Sequence, residues 1–370
     1  MIYVHVPFCR SFCTYCDFYS EIACRDRDAQ QFEDYAAALC AEASRRRDEI
    51  DATRGLDTIY IGGGTPSVLP LSLLRQMAAA ALMTGGGPPE PPASLRSEFT
   101  IEVNPEDIVA KGPGYVRGLL DLGVNRISMG VQSLDDGILR WMNRRHDAAH
   151  AREAFRLLRE AGVPNISVDL IFGLSQLTET VLDATLSELI AWRPEHLSAY
   201  QLGIEAGSTL GEWVRQGRYT EAPQEQCAAQ YARICRRLRE AGYHHYEISN
   251  WALPGREAVH NSAYWTRHPY VGLGPAAHSF DGRRRSWNPA DLSAWLRAAP
   301  RDGEQLSAQE AREEEILLGL RTAHGIPAAL CEPQKAAPLL ADGRLVQNGD
   351  RLRIPEERWF VSDDIIADLL

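Results

Sequence analysis

The chain has 370 residues and a formal net charge of −11, with 45% apolar and 24% charged residues, values ordinary for a globular protein with a large core. The acidic balance argues against nucleic-acid binding through a broad basic face, and no apolar run reaches the length of a membrane span. One large domain plus smaller ones is the natural expectation for this length.

The chain opens on Ile2-Tyr3-Val4-His5-Val6, which reads as a strand and not as a signal peptide, so a cytoplasmic location is expected. Cysteines in a reducing compartment are not expected to pair as disulfides. Cys9, Cys13 and Cys16 are crowded together, whereas Cys24, Cys40, Cys227, Cys235 and Cys331 are scattered and read as packing residues.

Strands are predicted at 2–6, 58–62, 99–104, 126–132, 167–172 and 197–202, each short, rich in Val and Ile, and bounded by Gly or Pro. Amphipathic helices at 31–47 and 151–161 fall between them. Arg45-Arg46-Arg47, and further on Arg283-Arg284-Arg285, read as solvated helix or loop ends. Residues 84–97, rich in Gly and Pro, read as a surface insertion. Six β/α units imply a parallel sheet with crossover helices. Six is short of the eight of a closed barrel, so the fold class is α/β, a partial (β/α)6 barrel.

The alternation is expected to stop near residue 215, dividing the chain into a barrel at 1–215, an accessory region at 216–305 and a small module at 306–370. A long helix is predicted at 224–241 and another at 313–322, with a hairpin at Asn348-Gly349. Helices followed by a short hairpin suggest a winged-helix-like module within a C-terminal α+β region.

The spacing Cys9-x-x-x-Cys13-x-x-Cys16 puts three thiolates on one loop after the first strand. A structural zinc needs four ligands, and no second CxxC is present; zinc with a distant His stays as the alternative. A [4Fe-4S] cluster with three thiolates keeps one iron open to a small chelating molecule. Polar residues then recur at the strand ends, where a β/α barrel places its site: Gly62-Gly63-Gly64-Thr65-Pro66-Ser67, Glu102-Val103-Asn104-Pro105, Gly130-Val131-Gln132 with Asn143-Arg144-Arg145-His146, and Asp169-Leu170-Ile171-Phe172-Gly173-Leu174. Three glycines let a ligand approach the backbone. A carboxylate inside an apolar strand, as at Asp169, needs a partner or a ligand.

These motifs resemble the radical S-adenosylmethionine enzymes. Within them the chain resembles the oxygen-independent coproporphyrinogen III oxidase family and its relatives, the HemW heme chaperones, along essentially its whole length. The resemblance implies a [4Fe-4S] cluster on Cys9, Cys13 and Cys16. It also implies S-adenosyl-L-methionine contacts from Tyr3, Tyr15, Gly63, Gly64, Thr65, Glu102, Gln132, Arg144 and Asp169. Physically, a carboxylate suits ribose hydroxyls and an arginine suits a carboxylate. His5 is expected to orient the cluster loop.

Two features separate the branches. The oxidases carry a fourth cysteine two residues after the third and a longer N-terminal extension. Here Phe18 holds the cysteine position and Tyr3 lies almost at the start. His260-Asn261-Ser262-Ala263-Tyr264-Trp265 matches the HNxxYW motif of the chaperones, making His260, Tyr264 and Trp265 the candidates for heme contact, with His278 a weaker one. The alternative reading of the motif is packing between the accessory region and the barrel. The chaperone resemblance implies heme delivery to respiratory hemoproteins, an external electron donor and homodimer formation. It assigns no catalytic residue. The competing expectation is a coproporphyrinogen III dehydrogenase.

Overall fold

The computed structural model describes residues 1–23, 28–53, 55–82 and 97–370. Cys24 and the expected insertion at 84–97, apart from Ser97, lie outside the described residues.

Six strands form the centre: β1 (Ile2–Val6), β2 (Thr58–Gly63), β3 (Glu98–Val103), β4 (Arg126–Gln132), β5 (Ile166–Phe172) and β6 (His196–Gln201). They pair in chain order, and every ladder is parallel. Their apolar side chains are buried nearly throughout, as expected of a parallel sheet packed on both faces. The connecting helices are α1 (Asp28–Arg45), α2 (Leu71–Leu82), α3 (Pro105–Asp121), α4 (Ala148–Glu160) and α5 (Glu179–Trp192). In α4 the buried Ala151, Ala154, Phe155 and Leu158 recur at helical spacing and set the face it packs on. Side-chain caps start the helices that follow the strand ends. Asn104 accepts from Glu106 N at 3.4 Å, Asp147 from His150 N at 2.8 Å, and Thr178 from Val181 N at 3.3 Å.

The β/α alternation does end after α5 and β6, but the accessory region adds strands to both edges of the sheet. Strand β7 (His244–Glu247) pairs with β8 (Asn250–Ala252), which runs antiparallel to β6. Strand β9 (Val271–Leu273) runs parallel to β1. The order is β9-β1-β2-β3-β4-β5-β6-β8-β7, with no pairing between the end strands. This is a partial barrel.

A second, antiparallel sheet follows, made of β10 (His278–Phe280), β11 (Arg284–Trp287) and β12 (Asp302–Gln305). Helix α6 (Gln224–Glu240) packs near β7. Two further helices are α7 (Val259–Trp265) and α8 (Ala308–Gly319). The last was expected at 313–322 but begins earlier, because Ser307 and Glu310 form a capping box upstream of the apolar positions. The terminal module has helix α9 (Pro333–Ala341) and strands β13 (Ile326–Pro327), β14 (Val346–Asn348) and β15 (Arg351–Arg353). The expected hairpin at Asn348-Gly349 joins β14 to β15, and the arrangement is winged-helix-like. His245 pins the module to the barrel: it stacks on Trp251 at 4.1 Å, meets the Trp359 ring at 4.3 Å, and lies 3.0 Å from Glu356 Oε1.

One basic cluster departs from its expected role. Arg45 is exposed, but Arg46 is buried. Arg46 donates to Glu42 at 3.0 Å, to Glu49, to Ser279 Oγ at 2.8 Å and to Gly272 O. Glu42 in turn accepts from Gly274 N at 2.9 Å, Trp295 Nε1 at 3.0 Å and Asn288 Nδ2 at 2.8 Å. The pair therefore ties α1 to the accessory region beside β9. Arg285 is likewise committed, to Glu304 and Glu314. The sequence showed the charges but not these long-range partners.

Replacing Arg46 by Ala leaves Glu42 buried beside fewer donors. We expect a loss of about 3 kcal/mol of stability, read by chemical denaturation, from breaking a buried pair on one side. A loss near zero would mean that the network carries little of the contact.

Candidate functional site

A cavity of about 660 Å³ opens at the C-terminal ends of the central strands, and its wall includes Cys9, Cys13 and Cys16. The loop carrying these thiols has little regular structure, so its position depends on backbone bonds to distant segments. Gly64 N donates to Val6 O and Thr65 N to Phe8 O, both at 2.8 Å. Ala23 N donates to Cys9 O at 2.9 Å, Thr14 N to Met142 O at 3.1 Å, and Leu210 N to Thr14 O at 2.7 Å.

The glycines after β2 make this approach sterically open. Gly63 has φ of +112°, and a Cβ there would lie 2.9 Å from Val6 O. At Gly64 a Cβ would lie 2.8 Å from Phe8 O and 3.0 Å from Cys9 Sγ.

His5 braces the loop from beneath. Its Nε2 donates to Tyr19 O at 2.8 Å, and its Nδ1 accepts from Tyr3 OH at 3.0 Å. Burial lowers its pKa, which keeps the ring neutral.

The thiols fit a metal cluster. Cys9 Sγ is 3.6 Å from Thr65 Oγ1, and Cys13 Sγ is 3.5 Å from Arg144 Nη1. Burial pushes the Cys9 thiol up and that of Cys16 to about 11, so thiolates at neutral pH need a compensating cation, which a metal supplies. Among the described residues no other cysteine lines the cavity. Three sulfurs with no fourth suit a four-iron cluster with one open iron better than a closed tetrahedral zinc.

Below the cysteines the lumen is polar. Tyr60 OH donates to Glu102 Oε1 at 2.7 Å and Gly63 N to Glu102 Oε2 at 3.1 Å. Ser128 Oγ donates to Asp169 at 3.3 Å. Burial raises both carboxyls, Glu102 to about 7. Gln132 has φ of 65°, at an irregularity in the β4–β5 pairing, a conformation that non-glycine residues rarely adopt. The buried Gln132 Oε1 and Arg144 Nε have no hydrogen-bond partner among the described residues. Arg144 Nη2 donates to Gly130 O at 2.7 Å.

Of the residues expected to contact S-adenosylmethionine, Tyr15, Gly63, Gly64, Thr65, Glu102, Gln132, Arg144 and Asp169 all line this cavity, whereas Tyr3 does not. Tyr3 instead holds His5. Asn104, in the strand-end motif of β3, lines the cavity and also caps α3.

The heme candidates lie elsewhere. His260 is completely buried: its Nδ1 meets Thr58 Oγ1 at 2.9 Å and its Nε2 meets Tyr264 OH at 3.0 Å. Its backbone N–H and that of Val259 donate to Glu98 at 3.1 and 2.8 Å. Burial takes its pKa down to about 3. In this arrangement neither ring nitrogen is open to a metal, and His260 does the packing work that was the motif's alternative reading. Trp265 is partly exposed on the same helix. From this motif only Asn261 lines the cavity. His278 is exposed and stacks on Trp287 at 5.5 Å.

The sequence reading missed Arg126, Tyr60, Ser128, Ser198 and Tyr200, all in the cavity wall. The signal was available in part: Arg126 and Ser128 share the strand face of Gln132 by simple alternation.

The radical SAM superfamily matches residues 3–189. The chain belongs to that superfamily. Its curated relatives include the heme chaperone HemW of Bacillus subtilis, 35% identical over 88% of this chain and 84% of the relative. HemW of Mycobacterium tuberculosis H37Rv is 31% identical over 100% of this chain and 94% of its own. Within the superfamily, then, the chain is a member of the HemW heme chaperone family. Among solved structures, coproporphyrinogen III oxidase (HemN) from Escherichia coli matches with a TM-score of 0.79 and 20% identity, covering 99% of this chain and 89% of that one, which shows a shared fold.

Gly64→Ala tests how closely the loop must approach the strand end. We expect destabilisation of about 2 kcal/mol from the forced backbone shift, and iron content after anaerobic reconstitution clearly below that of wild type. Normal iron loading would show that the loop can move aside.

Proposed function

We propose that the chain is a cytoplasmic heme chaperone that holds a [4Fe-4S] cluster on Cys9, Cys13 and Cys16, binds S-adenosylmethionine in the lumen beneath it, and delivers heme to respiratory hemoproteins. The observation that carries this reading is the convergence of three thiols, with no fourth among the described residues, on a lumen walled by Glu102, Asp169, Gln132 and Arg144. A cluster so held supplies one-electron chemistry at its open iron. The chain's own residues do the rest. His5 and the glycine backbone fix the loop. Arg144 faces the cluster thiol of Cys13 and offers an unpaired Nε to a ligand carboxylate. Glu102 and Asp169 offer acceptors for hydroxyls. The functional units are then 1–215 for the cluster and its ligand, 216–305 for closing the barrel edges and floor, and 306–370 for the terminal module.

Phe18 supports the chaperone over the dehydrogenase. It stands where the oxidases carry a fourth cysteine, and it lines the cavity together with Phe12 and Tyr200, the three being exposed to 72%, 48% and 42%. These rings offer a flat apolar ligand such as heme an open face, whereas His260 is sealed. Heme contact through the mouth is therefore favoured over iron ligation by His260.

Heme titration of cluster-loaded protein under anaerobic conditions tests both parts. We expect wild type and His260→Ala to bind heme alike, with Phe12→Ser/Phe18→Ser about tenfold weaker, as for the loss of about 1.4 kcal/mol of ring contact. Loss of binding in His260→Ala alone would move the heme to α7. Turnover of coproporphyrinogen III by wild type with S-adenosylmethionine and a reductant would overturn the chaperone reading in favour of the dehydrogenase. Light scattering of the same samples checks for the homodimer.

A further inference from the structure

Arg126 opens β4 and is only 2% exposed. Its Nε and Nη1 have no hydrogen-bond partner among the described residues, yet it lines the same cavity as the cysteines. A guanidinium taken out of water with its donors unmet is strongly unfavourable unless opposite charge faces it. Strand register shows which charges do. Thr100 pairs with Arg126, Glu102 with Ser128, and Asp169 with Gly130. Rising along the inner face of β4, the lumen thus meets Arg126, then the level of Glu102, then that of Asp169, each step about 7 Å at roughly 3.3 Å per residue. Arg144, on Gly130 O, closes the column at the rim.

The remaining groups around the column do not neutralise Arg126 by contact. Glu98 is spent on the backbone N–H groups of Val259 and His260. His196 is neutral by burial and paired with Ser167 at 2.7 Å and Tyr246 at 2.8 Å. His260 is neutral as well. Tyr60 and Tyr200 are held protonated, and Glu247 accepts from Asn250.

We propose that Arg126 is a positioning residue for the ligand of this lumen: a buried counter-charge that keeps Glu102 and Asp169 as carboxylates, ready to accept hydrogen bonds from the hydroxyls of a ribose. The proposal rests on the reading that this ligand is S-adenosylmethionine. Burial works against both carboxylates, lifting Glu102 to about 7 and Asp169 upward, and Arg126 opposes the lift at each. Its removal therefore raises both further, so that protonation, and with it the loss of hydroxyl acceptors, comes at higher pH.

The experiment is equilibrium binding of S-adenosylmethionine to cluster-loaded full-length protein across pH. Wild-type affinity should fall as pH drops through about 7. In Arg126→Gln the fall should come about one unit higher, giving about threefold weaker binding near pH 7.5, about tenfold weaker near pH 6 and near-equal binding at about pH 9. Arg126→Lys should restore the wild-type profile. If the Gln variant does not fold, Arg126→Met takes its place. Unchanged binding in the neutral variant, or a weakening that does not vary with pH, overturns the proposal, since a purely structural role would not track protonation. Infrared titration of the carboxyls in ligand-free protein reads the same shift without any ligand. A midpoint that does not move in Arg126→Gln overturns the Arg126 proposal. A midpoint that moves, in a wild-type protein that does not bind S-adenosylmethionine, supports the Arg126 proposal and overturns the ligand reading alone.

Discussion

Everything at the site depends on one close approach of backbone to backbone, where residues 62–65 lie against residues 6–9. Two hydrogen bonds of 2.8 Å hold it, from Gly64 to Val6 and from Thr65 to Phe8. Glycine is required on one side because a Cβ at Gly63 or Gly64 would enter the space of the opposing chain. The contact places Cys9 directly over the end of β2. Cys13 and Cys16 then follow within one turn, since Cys16 N donates to Cys13 O at 3.3 Å. A loop of this kind has no ladder of its own, and its precision is borrowed from the sheet and from Met142 and Leu210 on the far side of the mouth.

The partial barrel has a physical use. A closed eight-stranded barrel fills its interior with side chains. Here the sheet stays open and leaves a lumen of about 660 Å³. Open edges would invite pairing with other chains; the short strands β9 at one side and β8–β7 at the other cover them. The accessory region is thus part of the barrel's construction. The Arg46–Glu42 network ties it to α1, and the Glu98 carboxylate ties α7 to β3. Enclosure also keeps water from the lumen's carboxyls, which is why Glu102 and Asp169 are raised above their usual range.

Legibility in the sequence followed the range of the interactions. The six central strands and their helices could be read because local apolar runs and helical periodicity encode them, and the rim motifs because each is a contiguous segment at a strand end. Strands of three residues such as β8 and β9 carry no periodic signal, and only long-range pairing defines them. Arg46 was illegible for the same reason, and of Arg126 alternation could show the strand face but not the burial. A charged residue within a basic cluster or at a strand's first position reads as a solvated end, and only the tertiary arrangement shows that its surroundings are dry. His260 was visible as chemistry, but its Thr58 partner, 202 residues away in sequence, was not.

That partner bears on how the motif of α7 can act. To ligate iron, the His260 ring must give up Thr58 or Tyr264, each worth about 0.5–1.5 kcal/mol net, and must bring a macrocycle into a site with no exposed surface. Ligation there has to repay both costs. The rings of Phe12, Phe18 and Tyr200 need no rearrangement and stand beside the cluster loop. A ligand on them would touch the same backbone that positions Cys13 and Cys16, whereas one at His260 would reach the cluster only through the lumen, past Asn261, Arg126 and the two carboxylates. On the proposed reading, heme held at the mouth touches the cluster loop directly. The HNxxYW segment is left to hold the floor, through His260 on β2 and Glu98 on β3, and to place Asn261 in the lumen wall.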